Sequence, residues 1–116
     1  MSYDLAVWEG ERPANNRAAA QIHEALYEQY LDGDSFSPPT PLISKVVDLL
    51  LQRWPEPSED EDTPWSAAPL IRGASGPYIY IPMAWSRADE TSAFAAGVAA
   101  RLGLVCFDPQ MGQLRQ

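Results

Sequence analysis

Proline constrains this chain more than any other residue type. Each proline fixes φ and lacks a backbone N–H, which keeps it out of helix interiors and central ladder positions. Eleven occur in 116 residues, about twice the usual frequency. Most of them, including Pro38, Pro39, Pro41, Pro55, Pro57, Pro64 and Pro69, fall between stretches of regular apolar pattern. Helices and strands must therefore fit into the intervals.

In the first interval, Tyr3, Leu5 and Val7 alternate with Asp4, Ala6 and Trp8, the period of two of a strand, until Gly10 and Pro13 break it. Asn15 and Asn16 are natural N-caps. Ala19, Ile22, Leu26 and Tyr30 then recur at helical spacing opposite Arg17, Gln21, Glu24 and Glu28, which predicts a first helix stopped by Gly33. Beyond a Ser/Pro-rich connector over 34–39, Thr40 and Pro41 have the order of a cap and a first helical residue. The apolar sector that follows is wide, with Leu42, Ile43, Val46, Val47, Leu49, Leu50 and Leu51, and predicts a largely buried second helix. Pro55 ends it at Trp54, because the residue before proline is pushed out of the α region.

The segment 56–64 reads as an acidic loop, since from Glu56 to Thr63 it carries five carboxylates and no apolar side chain to dock on a core. Leu70–Arg72 and Tyr78–Met83 are then expected as strands joined through the glycines of 73–77. In the second of them Ile79, Ile81 and Met83 share one face and Tyr78 and Tyr80 the other, while Pro69 and Pro82 favour edge positions. Ser86 with Asp89 resembles a capping box opening a third helix. Phe94, Val98 and Leu102 line its core face, small residues (Ala93, Ala95, Ala96, Gly97, Ala99, Ala100) allow a close approach to a sheet, and Gly103 caps its end. Leu104–Phe107 reads as a strand, Asp108-Pro109 as a turn, and Gln113–Arg115 as a short returning strand.

The order is thus β-α-α-β-β-α-β with a final short β, in one α+β domain over residues 1–116: a mainly antiparallel sheet with helices on one face. If the second helix is an insertion, the remainder has the ferredoxin-like order. Ile22, Leu26, Val46, Leu50, Ile79, Phe94 and Val98 are expected in the core.

Sixteen acidic against eight basic residues give a net charge of −8, which repels nucleic-acid phosphates and anionic membrane surfaces. No apolar run approaches the roughly 18 residues of a membrane span. Cys106 is the only cysteine, so no intramolecular disulfide can form. With no secretory pattern at the start, the expected setting is the cytoplasm.

Little in the sequence points to catalysis. His23 and Cys106 are the only imidazole and thiol, and no Cys/His ligand spacing exists, so neither a structural metal nor a cofactor is expected. His23 lies at the edge of an apolar helix face and Cys106 within Val-Cys-Phe, where packing outweighs a nucleophilic pairing of the two. The run Glu59-Asp60-Glu61-Asp62 lacks the alternation and glycine of a calcium loop. Gly73-Ala-Ser-Gly76 has no lysine and leads into a strand, so it is a turn rather than a phosphate loop. Trp8, Trp54, Trp65 and Trp85 stand out in so short a chain. Trp65 and Trp85, at element ends beside acidic or polar sequence, are with Glu59, Asp60, Glu61 and Asp62 the candidate contacts for a basic partner protein.

The opening Ser2-Tyr-Asp-Leu-Ala-Val-Trp-Glu-Gly10, the middle Arg53-Trp-Pro55 with its acidic loop and Pro64-Trp65, and the closing Gly103-Leu-Val-Cys-Phe-Asp-Pro-Gln110 resemble a family of small bacterial proteins without an assigned activity. The resemblance spans most of the chain; it implies a bacterial, full-length, cytosolic protein and no catalytic residue. In character, though not in motif, such small acidic α+β proteins are similar to immunity proteins that neutralise secreted toxins. A non-enzymatic interaction domain is the expected function, set against a small enzyme using an Asp/Glu pair or Cys106, or a subunit that pairs through a sheet edge.

Overall fold

The computed structural model describes residues 2–32, 37–56, 63–66 and 69–115. The alternating opening segment forms β1 (Ser2–Trp8), followed by α1 (Asn16–Tyr30), α2 (Pro41–Arg53), β2 (Ala74–Ser75), β3 (Tyr78–Ala84), α3 (Ala88–Arg101), β4 (Val105–Asp108) and β5 (Gln113–Leu114). The five strands make one antiparallel sheet in the order β2-β3-β1-β4-β5. β1 is its centre, paired along its whole length with β3 (Ser2↔Ala84 to Trp8↔Tyr78) and with β4 from Ala6↔Phe107 to Trp8↔Val105.

In this order β1 and β2 flank β3, and β3 and β4 flank β1, giving two interlocked split β-α-β units. This is the ferredoxin-like arrangement of an α+β fold, with β5 added at one edge. The helix outside that scheme is α1, not α2, and the helices do not share one face of the sheet. Because side chains alternate along a strand, β1 sends Leu5 and Val7 one way and Ala6 and Trp8 the other. Leu5 and Val7 join Ile79, Ile81, Met83 and Cys106 beneath α2 and α3, whereas Ala6 and Trp8 join Tyr78, Val105 and Phe107 beneath α1. A sheet covered on both faces needs apolar residues at odd and even positions alike, and β1 has them.

Local signals explain most element ends. The Asn15 side chain accepts from the Ala18 amide at 2.8 Å and caps α1. Thr40 caps α2 by accepting from the Ile43 amide at 3.3 Å, and its hydroxyl also donates to Glu9. Trp54, ahead of Pro55, takes ψ 99° and ends α2. At the end of α3, Gly103 turns left-handed (φ 72°) while the Leu104 amide donates to Ala99 O and the Gly103 amide to Ala100 O, a Schellman stop. Gly33 lies outside the described residues, as does the acidic run 59–62.

Other expectations give way to tertiary constraints. Leu70–Arg72 is part of a 3-10 turn (Leu70–Gly73) and not a strand. A Cβ on Gly73 would overlap the Tyr80 carbonyl oxygen, so the chain turns under β3 at the one residue that fits and pairs only at Ala74–Ser75. Ser86 and Asp89 form no capping box. Trp85–Arg87 is a 3-10 turn, α3 has no side-chain cap, and the first-turn contact is Arg87 Nε to Glu90 Oε1 at 3.2 Å. Pro82 is not at a free edge: it lies opposite Asp4 of β1, and on the other side, past the end of β2, Trp65 bridges Met83 while the Pro82 carbonyl accepts from Ser66 N at 3.3 Å.

The phase of α1 differs from the sequence reading. Ala19 is its only fully buried residue and Ile22 is 37 % exposed, because the inward stripe runs through Ala19, His23, Leu26 and Tyr30. Val46, Leu50, Ile79 and Val98 are fully buried, with Leu26 and Phe94 partly so. Truncating Leu50 to Ala is expected to cost about 2–5 kcal/mol in urea unfolding, whereas I22A should cost no more than about 0.5 kcal/mol. Thr91 Oγ1 is buried without a hydrogen-bond partner, so T91V, which keeps the shape and removes the unpaired hydroxyl, should raise stability by about 1 kcal/mol in the same measurement.

Candidate functional site

The face crossed by α1 is unevenly covered. The helix starts beside β5, where Asn16 Oδ1 accepts from the Leu114 amide at 3.0 Å, and ends at the β2–β3 turn, where the Tyr30 ring lies against Gly76. One helix laid obliquely over this face leaves Tyr80 and Pro82 of β3 only half-buried. Beside them runs a groove in two parts. A part of about 370 Å³ is bounded by His23, Glu24, Tyr27, Glu28, Asp32 and Tyr80. A part of about 400 Å³ is bounded by Tyr27, Leu31, Pro69, Leu70, Arg72, Gly73, Tyr80 and Pro82. Tyr27 and Tyr80 belong to both, with ring centroids 5.4 Å apart at 68°.

Helical spacing builds the α1 wall. Residues 23, 27 and 31 form one stripe and 24, 28 and 32 the next. The first stripe supplies an imidazole, a phenol and an isobutyl group; the second supplies three carboxylates. Opposite them, Tyr80 is held by its hydroxyl, which donates to Asp4 Oδ2 at 2.9 Å, while Asp4 Oδ1 accepts from Ser2 Oγ at 2.8 Å.

His23 and the phenols of Tyr78 and Tyr80 favour their neutral forms. His23 packs among Trp8, Tyr78, Tyr80 and Phe107, with its ring within 10° of parallel to Tyr80. Its Nδ1 is hydrogen-bonded to the Tyr78 hydroxyl at 3.0 Å. Burial lowers the His23 pKa below 6.5, with Glu24 opposing. Burial raises the phenol pKa values of Tyr78 and Tyr80, and for Tyr80 the hydrogen bond to Asp4 adds to this. Both phenols thus stay protonated at neutral pH and serve the site as hydrogen-bonding groups and aromatic walls. Cys106, buried under α2 and α3, has its thiol pushed up to about 12 by burial, which leaves it a small apolar group at neutral pH.

A second polar cluster surrounds Asp108, which is 1 % exposed. Its Oδ1 accepts from Gln110 Nε2 at 2.7 Å and the Met111 amide at 3.1 Å, and its Oδ2 accepts from the Tyr3 hydroxyl and faces Arg115 Nη1 at 3.7 Å. The Tyr3 phenol is raised to about 12 by burial and this carboxylate. Gln110 continues the β1–β4 ladder where Pro109 cannot: its amide accepts from Asp4 N at 2.5 Å and donates to Asp4 O at 2.6 Å. With its oxygens engaged by four groups, Asp108 anchors the β4–β5 turn.

The candidate contacts read from sequence do not converge on the groove. Glu59, Asp60, Glu61 and Asp62 lie outside the described residues. Trp65 is buried against Trp54, its indole N–H donating to Trp54 O at 2.7 Å, so it packs the core instead of presenting a surface. Trp85 is 49 % exposed and stands edge-on to Tyr3 at 5.0 Å. In the sequence Glu24 and Glu28 read as an ordinary solvated helix face, which hides the groove. The available signal was the i, i+4, i+8 repeat of acids at 24, 28 and 32 beside the aromatic pair 23 and 27.

Among the described residues no three His, Cys, Asp or Glu side chains are grouped as a metal site, and no helix is long and apolar enough to cross a membrane. Compared with protein-family models, curated proteins and solved structures, the chain finds no match.

His23 links the groove to stability. Its lowered folded-state pKa means that the unfolded chain binds the proton more readily, so stability rises with pH across this interval. The contribution is complete above about 6.5, the unfolded value, and is lost as pH falls from there towards the lower folded-state pKa. Thermal unfolding between pH 7.5 and 5 should show a falling Tm in the wild type and a flatter profile in H23Q; equal slopes would place the dependence elsewhere.

Proposed function

We propose that this protein is a non-enzymatic interaction domain whose groove beside α1 receives a basic protein partner. The observation that carries this reading is the pairing, in one open groove, of an acidic wall (Glu24, Glu28, Asp32) with aromatic surfaces (Tyr27, Tyr80, His23). Carboxylates attract a cationic side chain and aromatic faces hold its stem and its charge. The net charge of −8, to which Glu59, Asp60, Glu61 and Asp62 contribute, steers such a partner at long range. The half-exposed Trp85 offers a further apolar contact outside the groove.

Its concrete form is an immunity-type inhibitor acting in the cytoplasm, where an acidic surface covers the basic working face of a toxin. A partner that pairs through a sheet edge is less well served, because both edge strands, β2 and β5, are two residues long.

The test is a titration of the labelled protein with an octa-arginine peptide, followed by amide chemical shifts at low and high salt. Shifts are expected to concentrate at Glu24, Tyr27, Glu28 and Tyr80, to weaken with salt, and to require about tenfold more peptide in the triple variant E24Q/E28Q/D32N. Shifts scattered over the whole surface, or binding indifferent to the triple variant, would remove the groove from the function.

A further inference from the structure

We infer that the groove reads a mixed pair of side chains, one basic and one apolar, two positions apart in an extended segment of the partner. The inference rests on the basic-partner reading and adds what the second part of the groove selects. The two parts meet at Tyr27 and Tyr80 but differ in chemistry. The part beside Glu24, Glu28 and Asp32 is polar and acidic. The part beside Leu31, Leu70 and Pro82 is mainly apolar, and among the described residues its one charged side chain is a cation, Arg72.

A uniformly basic segment would satisfy the first part and place a second cation against Arg72 in the other. A uniformly apolar segment would leave the three carboxylates without a partner. Specificity of this kind comes from the repulsive element as much as from the attractive one, and Arg72 is that element. In an extended segment, side chains i and i+2 point the same way while i+1 points back to solvent, so adjoining parts of one groove receive alternate residues. The guanidinium of an arginine suits the acidic part, because it can pair with carboxylates and lie on an aromatic face at once. Burial of an aliphatic side chain against Leu31, Pro69 and Pro82 supplies the apolar contribution.

The experiment uses three fluorescein-labelled peptides with identical Gly/Ser flanks and central sequences Arg-Ser-Leu, Arg-Ser-Arg and Leu-Ser-Leu, titrated with the full chain by anisotropy. The wild type is expected to bind Arg-Ser-Leu about tenfold more tightly than either of the others. In R72E, at an exposed position, the order of the two arginine peptides should reverse, with Arg-Ser-Arg the tighter. R72S, the milder exchange, should bring the two to near equality. If Arg-Ser-Arg matches or exceeds Arg-Ser-Leu on the wild type, or if the Arg72 variants leave the ratio unchanged, the mixed-pair inference is overturned while a basic partner still stands. If neither arginine peptide binds more tightly than Leu-Ser-Leu, the basic-partner reading falls, and this inference with it.

Discussion

The structure depends on the burial of β1 on four sides. β3 and β4 take its backbone hydrogen bonds, α2 and α3 cover Leu5 and Val7, and α1 covers Ala6 and Trp8. A strand in that position cannot carry the polar alternation of a half-exposed strand over its buried stretch. The run Leu5-Ala-Val-Trp8 accordingly has no polar residue, and polar Ser2 and Asp4 come only before it. Once β1 is central, the positions of β3 and β4 follow from pairing, and those of α2 and α3 from the split β-α-β connections on one face.

The groove is a by-product of unequal coverage. Two helices close one face of the sheet, while a single oblique helix is left for the other. Its course is held at both ends, by Asn16 at β5 and by Tyr30 at the β2–β3 turn. Gly76 has φ 55° there, and a Cβ on it would meet the tyrosine ring. The middle of β3 is what the helix cannot reach, and polar or aromatic residues occupy the gap: Tyr80 tied to Asp4, His23 tied to Tyr78.

The elements that the sequence announced are those whose pattern is set locally. Tyr78–Met83 shows its two faces by alternation, Thr40-Pro41 and Pro55 bracket α2, and Gly103 marks the stop of α3. What could not be read locally was decided by neighbours distant in the chain. Leu70–Arg72 has strand-forming residues but must curl so that Gly73 passes under Tyr80. The phase of α1 hung on Ile22 against His23. Hydropathy favours Ile22, yet the buried Tyr78 hydroxyl needs a polar partner and the helix turns His23 towards it. The candidate site followed the same rule: tryptophans and a charge run drew attention, and Trp65 proved to be core, while the groove is assembled from helix and sheet residues that are unremarkable in sequence.

The central place of β1 also sets a timetable for folding. Its partners β3 and β4 follow it by most of the chain's length, so neither ladder can form until a long intervening stretch has been closed. During that interval the segment Leu5–Trp8 is apolar on both sides and has neither edge occupied, which is the description of a strand that pairs readily with a strand of another molecule. Refolding at high protein concentration therefore sets assembly of the sheet within one chain against association between chains.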